Sequence, residues 1–196
     1  MIKKTLLAAT LACSLASCGS NDDNNVTPTN PTNPNPYYAN FPFNGTTYNF
    51  SGTKAAAQYM SSFDQEVGGY MQNAPNIIPS VGISVRYDHH PTHTEVMALG
   101  GQTLSFDGAS SPRARAEFSP ATASDPDWWS DDTTSSAYSM HIESIAYVDV
   151  DTTIFNIVDV YEMKGSFSAS MENLSTGQLA PLSGCNFKLL VSRVKD

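Results

Sequence analysis

Apolar and polar residues alternate without a break over one long stretch: Tyr161, Met163, Gly165, Phe167, Ala169 and Met171 against Glu162, Lys164, Ser166, Ser168 and Ser170. Only an extended strand puts such a set on one face, because its successive side chains point to opposite sides of the sheet. Asn173 to Gly177 reads as a turn, and Cys185, Phe187, Leu189 and Val191 then form the inner face of a returning strand. The same period recurs upstream. Val81, Ile83, Val85 and Tyr87 alternate with Gly82, Ser84, Arg86 and Asp88, and Ala114, Ala116 and Phe118 with Arg113, Arg115 and Glu117. Phe41 to Phe50 carries Asn44-Gly45 between aromatic arms, the strongest short hairpin signal. Strands of this kind, separated by polar turns, imply an all-β fold: an antiparallel β-sandwich or a partly open barrel. One segment resists. From Ala56, the residues Tyr59, Met60, Phe63, Val67 and Tyr70 recur at helical spacing, while Ser61-Ser62 and Gly68-Gly69 weaken a helix. A strand with an irregular connection is the expectation there, and a short helix the alternative.

The N-terminal part has a different character. Met1-Ile2-Lys3-Lys4 precedes an apolar run from Thr5 to Ala16, too short to span a bilayer and ending in small residues, as in a removed export signal. Gly19 to Pro36 is nearly all Asn, Asp, Ser, Thr and Pro, with Val26 as its one aliphatic residue. Such a segment cannot bury a core and is expected to be a disordered, semi-rigid tether. The expected layout is a signal over 1–17, a tether over 18–36 and a β-domain over 37–196. The formal charge of -9 argues against nucleic acid as a partner, since phosphate binding needs clustered Lys and Arg. It argues equally against electrostatic docking on anionic lipid.

Leu15-Ala16-Ser17-Cys18 resembles the cleavage box of bacterial lipoproteins. Thr10-Leu11-Ala12 makes Cys13 a poorer match, lacking the aliphatic residue three positions before the cysteine. The resemblance implies that the Cys18 thiol receives a diacylglycerol, the chain is cut before it, and the new amine is acylated. Three acyl chains exceed the two signals needed for stable anchoring. Cys185 would then be the one thiol left, excluding an intramolecular disulfide and reading most simply as a small buried hydrophobe. Ser20-Asn21-Asp22-Asp23 resembles the acidic export signal of Bacteroidota-type lipoproteins. It implies an outer-membrane location facing the cell exterior, with the periplasmic face as the alternative. Further along, Val160 to Ala169, Thr176-Gly177 and Leu182 to Phe187 resemble a hairpin of Bacteroidota-type exported lipoproteins of unknown function, with a Gly-x-Phe-x-Ala strand and a Thr-Gly turn. Asn44-Gly45-Thr46-Thr47-Tyr48 matches their first hairpin. Cys185 departs from the glycine, serine or threonine usual at that place. This family implies fold and location but brings no catalytic residue.

Several clusters carry possible chemistry. His89, His90 and His93, with Asp88 and Glu95, are weak metal candidates. Zinc or copper needs three or four converging ligands, and a solvated turn around Pro91 is the simpler reading. Asp125-Pro126-Asp127-Trp128-Trp129-Ser130-Asp131-Asp132 concentrates carboxylates suited to calcium but lacks the central glycine and terminal glutamate of an EF-hand. Trp128 and Trp129 are the two tryptophans of the chain and read as part of a polar loop. Indole faces stack on sugars, and Asp127 and Asp131 would accept sugar hydroxyl bonds. The plainer reading is that one or both rings fold back onto the sandwich. Asp149 and Asp151, with Glu143 near, offer paired carboxylates, yet same-face positions in one strand meet glycosidase spacing trivially. Asp132-Thr133-Thr134 and Asp151-Thr152-Thr153 resemble Asp-Thr-Thr acceptors for O-glycosylation in the same group of exported proteins. The sequence carries no Ser/His/Asp order, phosphate-binding glycine loop, Cys-x-x-Cys or haem box.

The expectation is a membrane-anchored, non-catalytic binding domain that needs no cofactor beyond its covalent lipid. Its ligand would be a glycan or another envelope component. A structural role docking another envelope protein is the alternative, and a glycoside hydrolase a third.

Overall fold

The computed structural model describes residues 36–53, 57–59, 64–74, 77–120, 126–130, 138–153 and 156–195. The signal segment, Cys18, most of the tether, Met60 to Phe63, Asp125 and Asp131 to Thr134 lie outside the described residues. Among those described are β1 (Tyr37–Phe43), β2 (Thr46–Gly52), β3 (Ala57–Tyr59), β4 (Glu66–Ala74), β5 (Ile77–Arg86), β6 (Thr103–Ser105) and β7 (Arg113–Ser119). β8 (Trp128–Ser130), β9 (Ser139–Thr152), β10 (Ile157–Asn173) and β11 (Leu179–Val194) follow, and α1 (His93–Met97) sits between β5 and β6.

The strands join in one sheet in the order β2-β1-β11-β4-β5-β7-β8-β10-β9-β6, with β3 on β4. β10 also pairs with β11, which closes a hydrogen-bonded circuit through β11, β4, β5, β7, β8 and β10. The β1–β2 hairpin extends from β11, and β9 with β6 extends from β10. The fold is therefore all-β, one large antiparallel sheet, consistent with the β-sandwich or partly open barrel that the periodicity implies.

Each alternating set lands where its period places it. Val81, Ile83, Val85 and Tyr87 are buried, as are Ala114, Ala116 and Phe118, and Cys185, Phe187, Leu189 and Val191. Asn44 and Gly45 take φ of 47° and 78°, the pair of left-handed residues that a tight hairpin turn requires. That turn swings Phe41 and Phe43 of β1 onto Phe118 of β7, with ring centroids 5.2 and 5.5 Å apart. Each aromatic pair adds about 0.5–1.5 kcal/mol beyond its area burial.

Of the ambiguous stretch from Ala56 to Tyr70, Ala57 to Tyr59 form β3, Asp64 and Gln65 form a turn and Glu66 to Tyr70 open β4. The described residues thus follow the expected strand with an irregular connection; residues 60–63, where a short helix would be centred, lie outside the described residues. A Cβ on Gly69 would run into the Leu190 carbonyl of β11. The glycine pair that weakens a helix is thus what lets two backbones close the circuit. Next to this seam, Asp159 and Arg193 face each other across β10 and β11 as a buried ion pair of 2.7 Å. Arg193 also donates to the Tyr161 hydroxyl at 3.3 Å and to the Pro91 carbonyl at 3.1 Å, which pins the turn before α1 to the sheet.

Candidate functional site

Trp128 and Trp129 lie on a strand, not in the polar loop that their Asp, Pro and Ser neighbours suggest. β8 is three residues long and is held on both sides, by β7 and by β10. Its pleat sends Trp128 inward, 7% exposed and edge-on to Phe43 at 5.0 Å. Trp129 points outward and remains 37% exposed. One ring is core and the other is surface.

Register builds the surroundings of Trp129. Tyr70 of β4, Gly82 of β5, Glu117 of β7, Trp129 of β8 and Glu172 of β10 stand side by side across the outer face. Gly82 has no side chain, so the row dips there. A Cβ at that position would collide with the Glu117 side chain, which lies across the gap. The result is a hollow of about 290 Å³, walled by Glu66, Arg115, Glu117 and Trp129 over Gly82 and Ser84. Arg115 holds two of these together: its Nη1 donates to Glu66 Oε1 at 2.8 Å, and its guanidinium lies over the Trp129 ring, 4.8 Å from the centroid.

The electrostatics are uneven. Glu66 is 5% exposed and committed to Arg115. Burial pushes the Glu117 carboxyl above its ordinary range; Arg115 pulls it down, while the charges of Glu66 and Asp127 push it further up. Asp127 is exposed at the start of β8, and its carbonyl accepts the Leu174 N–H at 3.0 Å. Asp131, the other expected partner of the indoles, lies outside the described residues. An open indole beside a desolvated carboxylate suits a ligand with one apolar face and polar edges, such as a pyranose ring.

The histidines do not converge. His89 Nδ1 meets Asp88 Oδ1 at 2.6 Å and its Nε2 meets Glu95 Oε1 at 2.9 Å. The two carboxylates occupy opposite ring nitrogens, so one ion cannot take all three groups. His93 turns to the Tyr161 hydroxyl at 3.0 Å and packs against Tyr147, and His90 is half-buried. Among the described residues no group of three or more His, Cys, Asp or Glu is placed to hold a metal. The solvated turn expected around Pro91 leads instead into α1. Thr92 and Glu95 form a capping box there, with Thr92 N–H to Glu95 Oε2 at 2.8 Å and Glu95 N–H to Thr92 Oγ1 at 3.3 Å.

The remaining candidates are dispersed. Asp149 and Asp151 accept the N–H of the following residue, each at 2.7 Å, and Glu143 binds Lys164 at 2.7 Å. Thr152 is exposed, whereas Thr153 bonds the Asn156 backbone. Cys185 is fully buried, which pushes its thiol up and keeps it neutral.

Glu66, Arg115 and Glu117 are members of the site that sequence reasoning did not single out. The alternation marks Arg115 and Glu117 as outward-facing, but nothing local links them to Glu66. Comparison with known protein families, curated proteins and solved structures gives no match.

Proposed function

We propose that this chain is a lipid-anchored envelope protein whose β-domain binds glycan without catalysis, at the hollow beside Trp129. The observation that carries the reading is an indole left 37% exposed at the rim of a hollow that holds a desolvated glutamate. Stacking on the indole supplies affinity, and Glu117 accepts ring hydroxyls. Calorimetric titration of the full chain with a panel of neutral, amino and acidic oligosaccharides tests this. One class is expected to bind, and Trp129→Ala to weaken it by at least about tenfold, roughly 1.4 kcal/mol. Heat from no member of the panel would overturn the reading.

A hydrolase needs two accessible carboxylates on either side of a scissile bond. Glu66 and Glu117 come from different strands, but Glu66 is buried and engaged by Arg115. That leaves Glu117 as the accessible acid of this hollow and favours binding over cleavage. Product release from any oligosaccharide of the panel would reverse that preference. A docking role is favoured by one observation: Tyr147, Val148 and Val150 on β9 and Ile157 on β10 are exposed apolar residues.

Anchoring rests on Cys18 and its flanking residues. Replacing Cys18 with Ser is expected to move the protein from the membrane to the soluble fraction. High salt alone is expected not to release the unmodified sequence, because acyl chains and not charges hold it. A Cys18→Ser chain still sedimenting with membranes would contradict the anchor.

A further inference from the structure

The charges around the exposed indole are not those a neutral sugar requires. Glu117 and Glu172 flank Trp129 in its own row, and Asp127 lies two residues before it on the same side of β8. The cation facing the ring is Arg115, whose charge Glu66 already balances. Arg86 and Arg113 are on the same outer face, but each is four residues along its strand from the Gly82–Glu117 pair. At the rise of a strand that is about 13 Å, beyond the screening length of about 8 Å at physiological salt. Three carboxylates therefore surround the indole, and among the described residues no free cation faces them. The same contact shows what this ring takes: the Arg115 guanidinium lies over part of it, 4.8 Å from the centroid. Indole faces attract positive charge through their quadrupole, and Trp129 remains 37% exposed as a residue.

We propose that the sugar bound over Trp129 carries a positive charge, as a hexosamine with a free amine does, and that uronic acids are refused. The proposal rests on the reading of this hollow as a glycan site. An ammonium group placed between Glu117 and the ring gains charge-assisted hydrogen bonds and a cation–π contact together. It also offsets the burial that chiefly pushes Glu117 up, to which the charges of Glu66 and Asp127 add. A carboxylated sugar in the same place meets Glu117, Glu172 and Asp127 with like charge.

The test compares chitosan oligosaccharides with fully N-acetylated oligomers of the same length and with oligogalacturonate, on the full chain at mildly acidic pH, where the hexosamine amine is protonated, and at low salt. The free-amine oligomer is expected to bind at least about tenfold tighter than its acetylated counterpart, a difference set by one charged hydrogen bond. Added salt is expected to shrink the gap. Glu117→Gln keeps the side-chain shape and removes the charge, so it is expected to narrow the preference with the thermal midpoint unmoved. Trp129→Ala is expected to weaken both sugars. Equal affinity for the two oligomers, or the tightest binding by oligogalacturonate, overturns the charged-sugar inference and leaves glycan binding standing. Tetralysine competing as well as the chitosan oligomer also overturns it, because the sugar ring would then add nothing. Binding of no sugar removes the underlying reading and this inference with it.

Discussion

His89 holds a carboxylate on each ring nitrogen, which makes it a proton-dependent clamp between the turn after β5 and helix α1. Its hydrogen bond to Asp88, and then that to Glu95, raise its pKa above the ordinary 6.5. The stability it lends is thus full below 6.5 and is lost as pH rises through the raised value. The carboxylates shift the other way. Hydrogen bonds from His89 and Ser111 lower Asp88 from 3.8, and the backbone and hydroxyl of Thr92, with His89, lower Glu95 from 4.5 to about 2. Their share is present above those ordinary values and is lost as pH falls toward the lowered ones. The clamp is expected to be strongest at about pH 5–6, between the two ordinary ranges. An NMR titration should place the His89 midpoint above 6.5, with the amides of His93 to Met97 exchanging faster above it. In His89→Gln that pH dependence should vanish. A midpoint at or below 6.5 would show that the clamp is not held in solution.

β8 shows how an element of three residues can decide the surface of a molecule. It is too short for alternation to be read, and its flanking Asp, Pro and Ser residues carry loop composition. Its strand character comes from β7 and β10 on either side, which lie nearby only after folding. Trp128 anchors it: truncation to Ala removes a ring packed on Phe43 and should cost about 3–5 kcal/mol. Trp129→Ala removes an exposed ring and should change stability by about 0.5 kcal/mol or less. Urea melts of the two variants check this, and similar losses would mean that both rings belong to the core. The long strands were legible because a period of two over Tyr161 to Met171 has one structural meaning. α1 carried its own sign in Thr92-x-x-Glu95, a capping box hidden behind the more conspicuous histidines. The pair Glu66–Arg115 had no such sign, because 49 residues separate its members and only register joins them.

At the scale of the molecule, the closed circuit makes the outer face of β4, β5, β7, β8 and β10 a continuous surface. Groups on packed strands keep their spacing, so the hollow beside Trp129 is formed before a ligand arrives. The overall charge of -9 works with it, since an acidic surface disfavours acidic polymers and leaves sugar contacts as the selective ones. The central claim is that Trp129, and not Trp128, meets a glycan. It is tested most directly by intrinsic fluorescence of the full chain in Trp128→Phe and Trp129→Phe, each keeping one indole, with iodide and a sugar panel. With Trp129 as the reporter, emission should be red-shifted, quenched by iodide and changed by one sugar class; with Trp128 as the reporter, it should be blue-shifted, shielded and unresponsive. A sugar response that persists in Trp129→Phe, or one absent from both variants, would contradict the account.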